Sequence, residues 1–268
     1  MRHTFPLVSS ILSRDILRRL KAQCAMSVVL AAMLVVSGCA RKESPLVLAI
    51  WAYDMDQVRQ LVESGMDVNE TDGVTQSALH WAIGRDQLEI AQYLIDEGAN
   101  IDYYSRVWGT PLYMGLLHPK GTKFLVENGA DLHIPVRYGM YPLHVSALFQ
   151  EAAVTKYLIE QGAEVNAVDV DREPGVTPLH IAADQSEPGI GIVKLLISAG
   201  AKIDARCHAG TTPLHAAAHH GSLEVVTLLL ENGADPGVRT NEGDTPASLA
   251  RKKGHTAVAE FLEKQVAK

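Results

Sequence analysis

The sequence predicts a mostly α-helical protein in which about seven similar units follow one another. A motif of the form TPLH begins at residues 44, 77, 110, 141, 177, 212 and 245, at intervals of 31 to 36 residues. A second motif, Gly-Ala-Asp or a close variant, closes the first six units. Two short segments with apolar residues three and four apart lie between the two motifs, as in amphipathic helices. This period is typical of stacked repeats, which bury their apolar faces on one another.

The first helix of each unit is predicted to begin at the TPLH motif. In the sixth unit, Thr212 can cap the helix N-terminus, and Pro213 occupies the first helical position, where a missing N–H costs nothing. His215 falls at the third position, from which a polar side chain can reach back to the cap. The second helix is predicted to end at Gly233 in a left-handed conformation. In the third unit, Pro119 and Gly121 are expected to end the first helix early.

The motifs SPLV, SALH, TPLY, YPLH, TPLH and TPAS, with their Gly-Ala-Asp closers, resemble those of the ankyrin repeat family. The resemblance covers residues 44–268. It implies an ankyrin-repeat solenoid, in which each unit has a β-hairpin finger followed by two antiparallel helices.

Residues 1–38 have the layout of a secretory signal peptide. Basic residues between Arg14 and Lys21 precede an apolar run at about 25–36, which is short of the roughly 20 residues that span a bilayer. Val36-Ser37-Gly38-Cys39 resembles the lipobox of bacterial lipoproteins. The resemblance implies cleavage before Cys39, acylation of its sulfur and a short tether at 39–43, while Ala40 resembles the signal for outer-membrane sorting. A plain secretory signal and an uncleaved anchor are the alternatives.

The charge of the chain argues against a polyanionic partner. Removal of residues 1–38 would take away five basic residues and one acidic residue, changing the net charge from −7 to about −11. Such a protein repels nucleic acid and anionic lipid headgroups, so contact with a membrane is expected only through acyl chains at Cys39. Cys207 would be the only remaining unmodified cysteine, which leaves no intrachain disulfide.

Four histidines between residues 208 and 220 raise the question of a metal or catalytic site. However, His215 occupies the same motif position as His80, His144 and His180, which indicates a structural role. His219 and His220 are adjacent and point in different directions on a helix. No G-x-S-x-G, H-E-x-x-H or phosphate-binding loop is present. We therefore expect no metal, no cofactor and no enzymatic activity.

The ankyrin resemblance places partner-contacting residues at the finger tips and at the exposed end of each first helix. On this sequence the positions carry several aromatic and arginine side chains, which are frequent at interface hot spots. The candidates are Trp51, Val74, Arg85, Tyr104, Arg106, Trp108, Tyr138, Met140, Leu148, Phe149, Asp171, Arg172, Glu173, Asp184, His208, His219, His220, Arg239, Asn241 and Lys253.

These observations favour a membrane-anchored periplasmic scaffold that is a monomer when unbound and holds one protein partner with a basic patch. Some bacterial lipoproteins of similar layout are immunity proteins that neutralise periplasm-acting effectors, including phospholipases delivered by type VI secretion. An envelope-structural or enzyme-protecting lipoprotein is the alternative.

Overall fold

The computed structural model describes residues 44–71, 76–170, 175–185 and 189–266. The predicted signal peptide and tether, with Cys39, lie outside these residues. Four candidate contact residues do so as well: Val74, Asp171, Arg172 and Glu173.

Fourteen helices arranged as seven consecutive pairs make up the regular structure of the described residues. The pairs are α1 Pro45–Trp51 and α2 Met55–Glu63; α3 Ala78–Gly84 and α4 Leu88–Asp96; α5 Pro111–Gly115 and α6 Pro119–Glu127; α7 Pro142–Phe149 and α8 Ala152–Glu160; α9 Pro178–Ala183 and α10 Gly189–Ser198; α11 Pro213–His220 and α12 Leu223–Glu231; α13 Pro246–Lys252 and α14 Thr256–Val266. One pair per TPLH motif confirms the predicted mostly helical fold class.

The helices pack as two compact units. The N-terminal unit ends at Arg137 and contains α1–α6, whereas the C-terminal unit begins at Tyr138 and contains α7–α14. Within each unit, the first helix of a repeat packs against its own second helix and against the first helices of its neighbours. Motif leucines such as Leu79, Leu179 and Leu214 are at most 1% exposed. Burial of each such side chain contributes about 1.5–3 kcal/mol.

The helix ends follow the predicted chemistry. Thr212 is the N-cap of α11, Pro213 is its first residue, and the Thr212 backbone N–H donates to Nδ1 of His215 over 3.2 Å. Gly233 follows the end of α12 with a φ of +91°. These observations confirm the sequence assignments at both ends of the sixth repeat.

The fingers contain less regular structure than β-hairpins. In the described residues, the only bridging pairs are Thr71 with Ser77 and Ser105 with Gly109, and neither extends into a strand. The carbonyls of Gly109 and Thr211 each accept one backbone hydrogen bond within their own finger and a second contact from the histidine of the preceding repeat.

The third repeat is shortened as expected, although not by the expected residues. Helix α5 ends at Gly115, after only five residues. Pro119 is the first residue of α6, and Gly121 lies inside α6 against Gly115, where a Cβ on Gly115 would meet the Gly121 backbone at 3.1 Å. The two glycines therefore allow close helix packing, and the prediction that Pro119 and Gly121 end the first helix is wrong.

Candidate protein-binding surfaces

The motif histidines join successive repeats. Nδ1 of His180 accepts from the Thr177 backbone N–H over 3.1 Å, and Nε2 lies 3.1 Å from the carbonyl oxygen of Thr211 in the next finger. His80 and His144 bridge in the same way to Gly109 and Val176. Burial lowers the pKa of His80, His144 and His180 to about 4, so these rings are neutral at pH 7. Their roles are structural.

The other histidines of the described residues do not form a recognisable metal site. Nδ1 of His219 lies 3.6 Å from Oδ1 of Asp184. Across the described ranges, no three His, Cys, Asp or Glu side chains are grouped to hold an ion. Cys207 is buried, with Sγ 2.7 Å from Oγ1 of Thr211. No helix in the described part of the chain is long and apolar enough to span a bilayer.

The N-terminal unit carries a partly exposed cluster that we call the aromatic–arginine surface, formed by Trp51, Tyr53 and Arg85. The Arg85 guanidinium lies 5.1 Å from the centre of the Tyr53 ring, and its Nη2 donates to the Trp51 carbonyl oxygen over 3.4 Å. The Trp51 ring packs edge-on against Trp81, with centroids 5.0 Å apart. Tyr53 is 61% exposed, whereas Trp51 and Arg85 are half-buried. Trp51 and Arg85, both predicted from the sequence, are thus brought together.

The finger of the third repeat presents a second set of predicted residues. Tyr104 is 48% exposed, and Arg106 is exposed beside Val107, which is 41% exposed. Trp108 is half-buried, and the Arg137 guanidinium lies 5.4 Å from its ring centre. This finger combines apolar and cationic groups in the manner of an interface.

Four predicted contact residues are buried, so the expectation that they are exposed is wrong. Leu148 and Phe149 are each 1% exposed, Met140 is 9% exposed and Asp184 is 8% exposed. All eight residues of α7 are buried, and α7 packs against α8 and α9. Leu148 and Phe149, at the end of this helix, are therefore not accessible to a partner in this structure.

The other predicted residues of the C-terminal unit reach solvent to different extents. Tyr138, His219 and His220 are half-buried. His208, Arg239 and Asn241 are exposed in the last two fingers, and Lys253 is exposed at the C-terminal end of α13.

Sequence reasoning missed two exposed residues, Tyr53 and Arg206. Tyr53 has a φ of +59°, in a region that favours glycine. Aligning the repeats would have revealed it, because Gly221 ends the first helix of the sixth repeat at the corresponding position. Arg206 lies two residues before His208 in the same finger. It was missed because only the residues at the finger tip were taken as candidates.

Comparisons with known proteins agree with this architecture. A family model for ankyrin repeats, in three copies, matches residues 15–105, 115–207 and 187–267. The crystal structure of the ankyrin repeat domain of Bcl-3 covers 82% of the chain with a TM-score of 0.70 and 25% identity, and the match includes 100% of that domain. The human ASB11 ankyrin repeat domain covers 82% with a TM-score of 0.67 and 24% identity, over 97% of its own length.

The curated relatives are longer proteins. Human inversin is 31% identical over 191 residues, which are 68% of this chain and 18% of inversin. The mouse B-cell lymphoma 3 protein homolog is 26% identical over 194 residues, which are 69% of this chain and 42% of the relative. The chain thus spans less than half the length of either relative. It belongs to the ankyrin repeat family, whose fold is typically a non-catalytic scaffold for protein binding.

Proposed function

We propose that this ankyrin scaffold holds one protein partner and that the aromatic–arginine surface is a centre of the contact. The observation that carries the proposal is the exposed contact between Tyr53 and Arg85. Tyr53 is 61% exposed and the Arg85 guanidinium stacks on its ring, which pairs two residue types that dominate interface hot spots. The left-handed φ of Tyr53 belongs to the repeat, because Asp86 and Gln150 adopt it at the corresponding positions.

The acidity of the chain bears on the chemistry of the partner. With about −11 net charge after cleavage, the scaffold favours a partner with a basic patch, because complementary charge speeds association and excludes competitors. The same charge opposes binding of nucleic acid. A non-enzymatic scaffold is consistent with the neutral, structural histidines and with the family.

We further propose that Cys39 is lipidated and that the scaffold stands in the periplasm at the outer membrane. The support is the resemblance of residues 36–39 to a lipobox, and Ala40 supports the choice of membrane. Two or more acyl chains would hold a protein stably on a membrane. In this setting the scaffold would be an immunity protein that blocks a periplasm-acting effector such as a type VI phospholipase. An envelope-structural or enzyme-protecting lipoprotein is the second candidate.

The anchor is tested by Cys39→Ser in a bacterial host. The variant should leave the membrane fraction or accumulate as an uncleaved precursor. Mature-sized protein that still sediments with membranes would contradict lipidation. A susceptibility assay then separates the two functions, because loss of an immunity protein kills the cell only when the effector is present.

The binding surface is tested by Tyr53→Gly. Glycine relieves the positive φ, so the variant should be more stable by about 0.5–1 kcal/mol while its capture of the partner from envelope extract falls at least tenfold. Tyr93→Ala is the matched control, because Arg59 stacks on Tyr93 at 5.5 Å just as Arg85 stacks on Tyr53. Equal capture by the wild type and Tyr53→Gly would place the interface elsewhere.

A further inference from the structure

The fingers of the sixth and seventh repeats are fastened to one another in the C-terminal unit. We call residues 206–211 and 239–244 the two-finger platform. The Asn241 backbone N–H donates to the Ala209 carbonyl over 3.0 Å, and its Nδ2 donates to the His208 carbonyl over 2.8 Å. These bonds fix the two finger tips side by side.

The platform holds two guanidinium groups by backbone oxygens rather than by carboxylates. Nη2 of Arg206 donates to the Arg239 carbonyl over 2.8 Å, and Nη1 of Arg239 donates to the Gly243 carbonyl over 2.9 Å. Both side chains are exposed, and among the described residues no ion pair within 4.0 Å includes either of them.

Two nearby cations of the same unit are paired with carboxylates. Arg251 pairs with Glu263 at 2.8 Å, and Lys252 pairs with Asp244 at 2.7 Å. Arg206 and Arg239 differ from these two in that, in the described part of the chain, neither is in an ion pair within 4.0 Å and each is held by a backbone carbonyl. An arginine that is already held loses less conformational entropy when it binds a ligand.

We propose that Arg206 and Arg239 bind an acidic segment of the protein partner. A guanidinium has five N–H donors, and its fork matches a carboxylate in a bidentate pair. Each of the two has donors beyond the one that its carbonyl bond uses. His208, exposed on the same platform, adds a polar contact.

The surroundings restrict the ligand to a short segment. Asp204, Asp235 and Glu242 are exposed close by in the sequence, so a long polyanion would meet repulsion beyond the two arginines. One or two carboxylates satisfy the platform without that cost. The inference rests on the proposed function in that it supposes a protein partner, and it assigns to that partner an acidic element in addition to its basic patch.

The test uses the full chain and a labelled hexapeptide of alternating Glu and Gly, compared with the same peptide in which Gln replaces Glu. The Glu peptide should bind in low salt, and the Gln peptide should bind at least tenfold more weakly. Arg206→Gln combined with Arg239→Gln should remove the preference, whereas Arg251→Gln should keep it, because Glu263 already neutralises Arg251. Arg239→Gln alone serves if the double variant unfolds, and it should weaken binding severalfold.

Several results would overturn the inference. One is that both peptides bind equally well or that neither binds. Another is that the folded double variant, Arg206→Gln with Arg239→Gln, still prefers the Glu peptide to the Gln peptide. Stronger binding of inorganic phosphate or of a DNA duplex than of the Glu peptide would identify a phosphate site instead. The peptide assay needs neither the natural partner nor the anchor. It can therefore fail while the Tyr53→Gly and Cys39→Ser experiments give the expected results. It can also succeed while either of those two experiments fails.

Discussion

Acidification should weaken the N-terminal unit through His80. Burial lowers the pKa of His80 to about 4 in the folded protein, whereas an unfolded histidine titrates near 6.5. Between these values the unfolded chain binds more protons, so the contribution of His80 to stability is complete above pH 6.5 and is lost as the pH falls toward 4. From pH 7.5 to 5, the loss amounts to about 2 kcal/mol for this one ring.

The perturbation that isolates this effect is His80→Asn. Asparagine does not titrate, so the variant should lose about 2 kcal/mol less than the wild type between pH 7.5 and 5. At pH 7.5 it should itself be less stable by about 1–3 kcal/mol, because the hydrogen bonds to Ser77 and Gly109 are lost. Burial also raises the pKa of Asp102 in the same unit. Asp102 is present in both the wild type and His80→Asn, so its contribution to the pH dependence cancels when the two proteins are compared.

Urea unfolding followed by tryptophan fluorescence is the assay. The three tryptophans, Trp51, Trp81 and Trp108, all lie in the N-terminal unit, so the signal reports that unit. His133→Asn is the control, since it replaces an exposed histidine of the same unit. If the wild type and His80→Asn show the same loss of stability at pH 5, His80 is not a neutral buried joint between repeats.

Three further predictions concern packing, repeat joints and metals. Gly109→Ala should destabilise by more than about 3 kcal/mol in thermal unfolding, because its Cβ would overlap the Val136 carbonyl oxygen, while Gly98→Ala, with open space around it, should cost only about 1 kcal/mol. Equal costs would refute the clash. Asn166→Ala should cost about 1–2 kcal/mol in urea, since it removes two bonds to the next repeat, at 3.1 and 2.8 Å; a cost below about 0.3 kcal/mol would contradict this. Protein purified without a tag should contain no stoichiometric metal, and a zinc-dependent rise in Tm that His219→Ala abolishes would overturn that expectation.

The repeated motifs made the fold predictable because local chemistry and tertiary packing coincide in them. Thr212, Pro213 and Gly233 each satisfy a helix-end requirement that can be read from the chain alone. The motif histidine was assigned to the cap correctly, although its second bond, to a carbonyl about 30 residues further on, could not be read from local sequence.

The candidate site was harder to predict because the position of a residue in the repeat determines where it lies on the helix. That position does not determine whether neighbouring residues bury its side chain. Arg85 and Phe149 both lie at the end of a first helix, yet Arg85 reaches solvent and Phe149 is buried. Tyr53 was missed for another reason: its φ is imposed by the chain reversal after α1, and hydrophobic periodicity carries no information on φ.

The joints made by the motif histidines have a consequence for how such a chain can change over generations. The nitrogen-to-oxygen distance stays between 2.9 and 3.1 Å at His80, His144, His180 and His215, although 29 to 32 residues separate the bonded partners. Extra or missing residues are therefore absorbed between the joints without altering them. A duplicated repeat that carries the histidine would meet the next finger through the same pair of atoms, and a lengthened finger would leave the joint in place. Selection can thus reshape what these four repeats present to a partner while the histidine joint to the next finger stays the same.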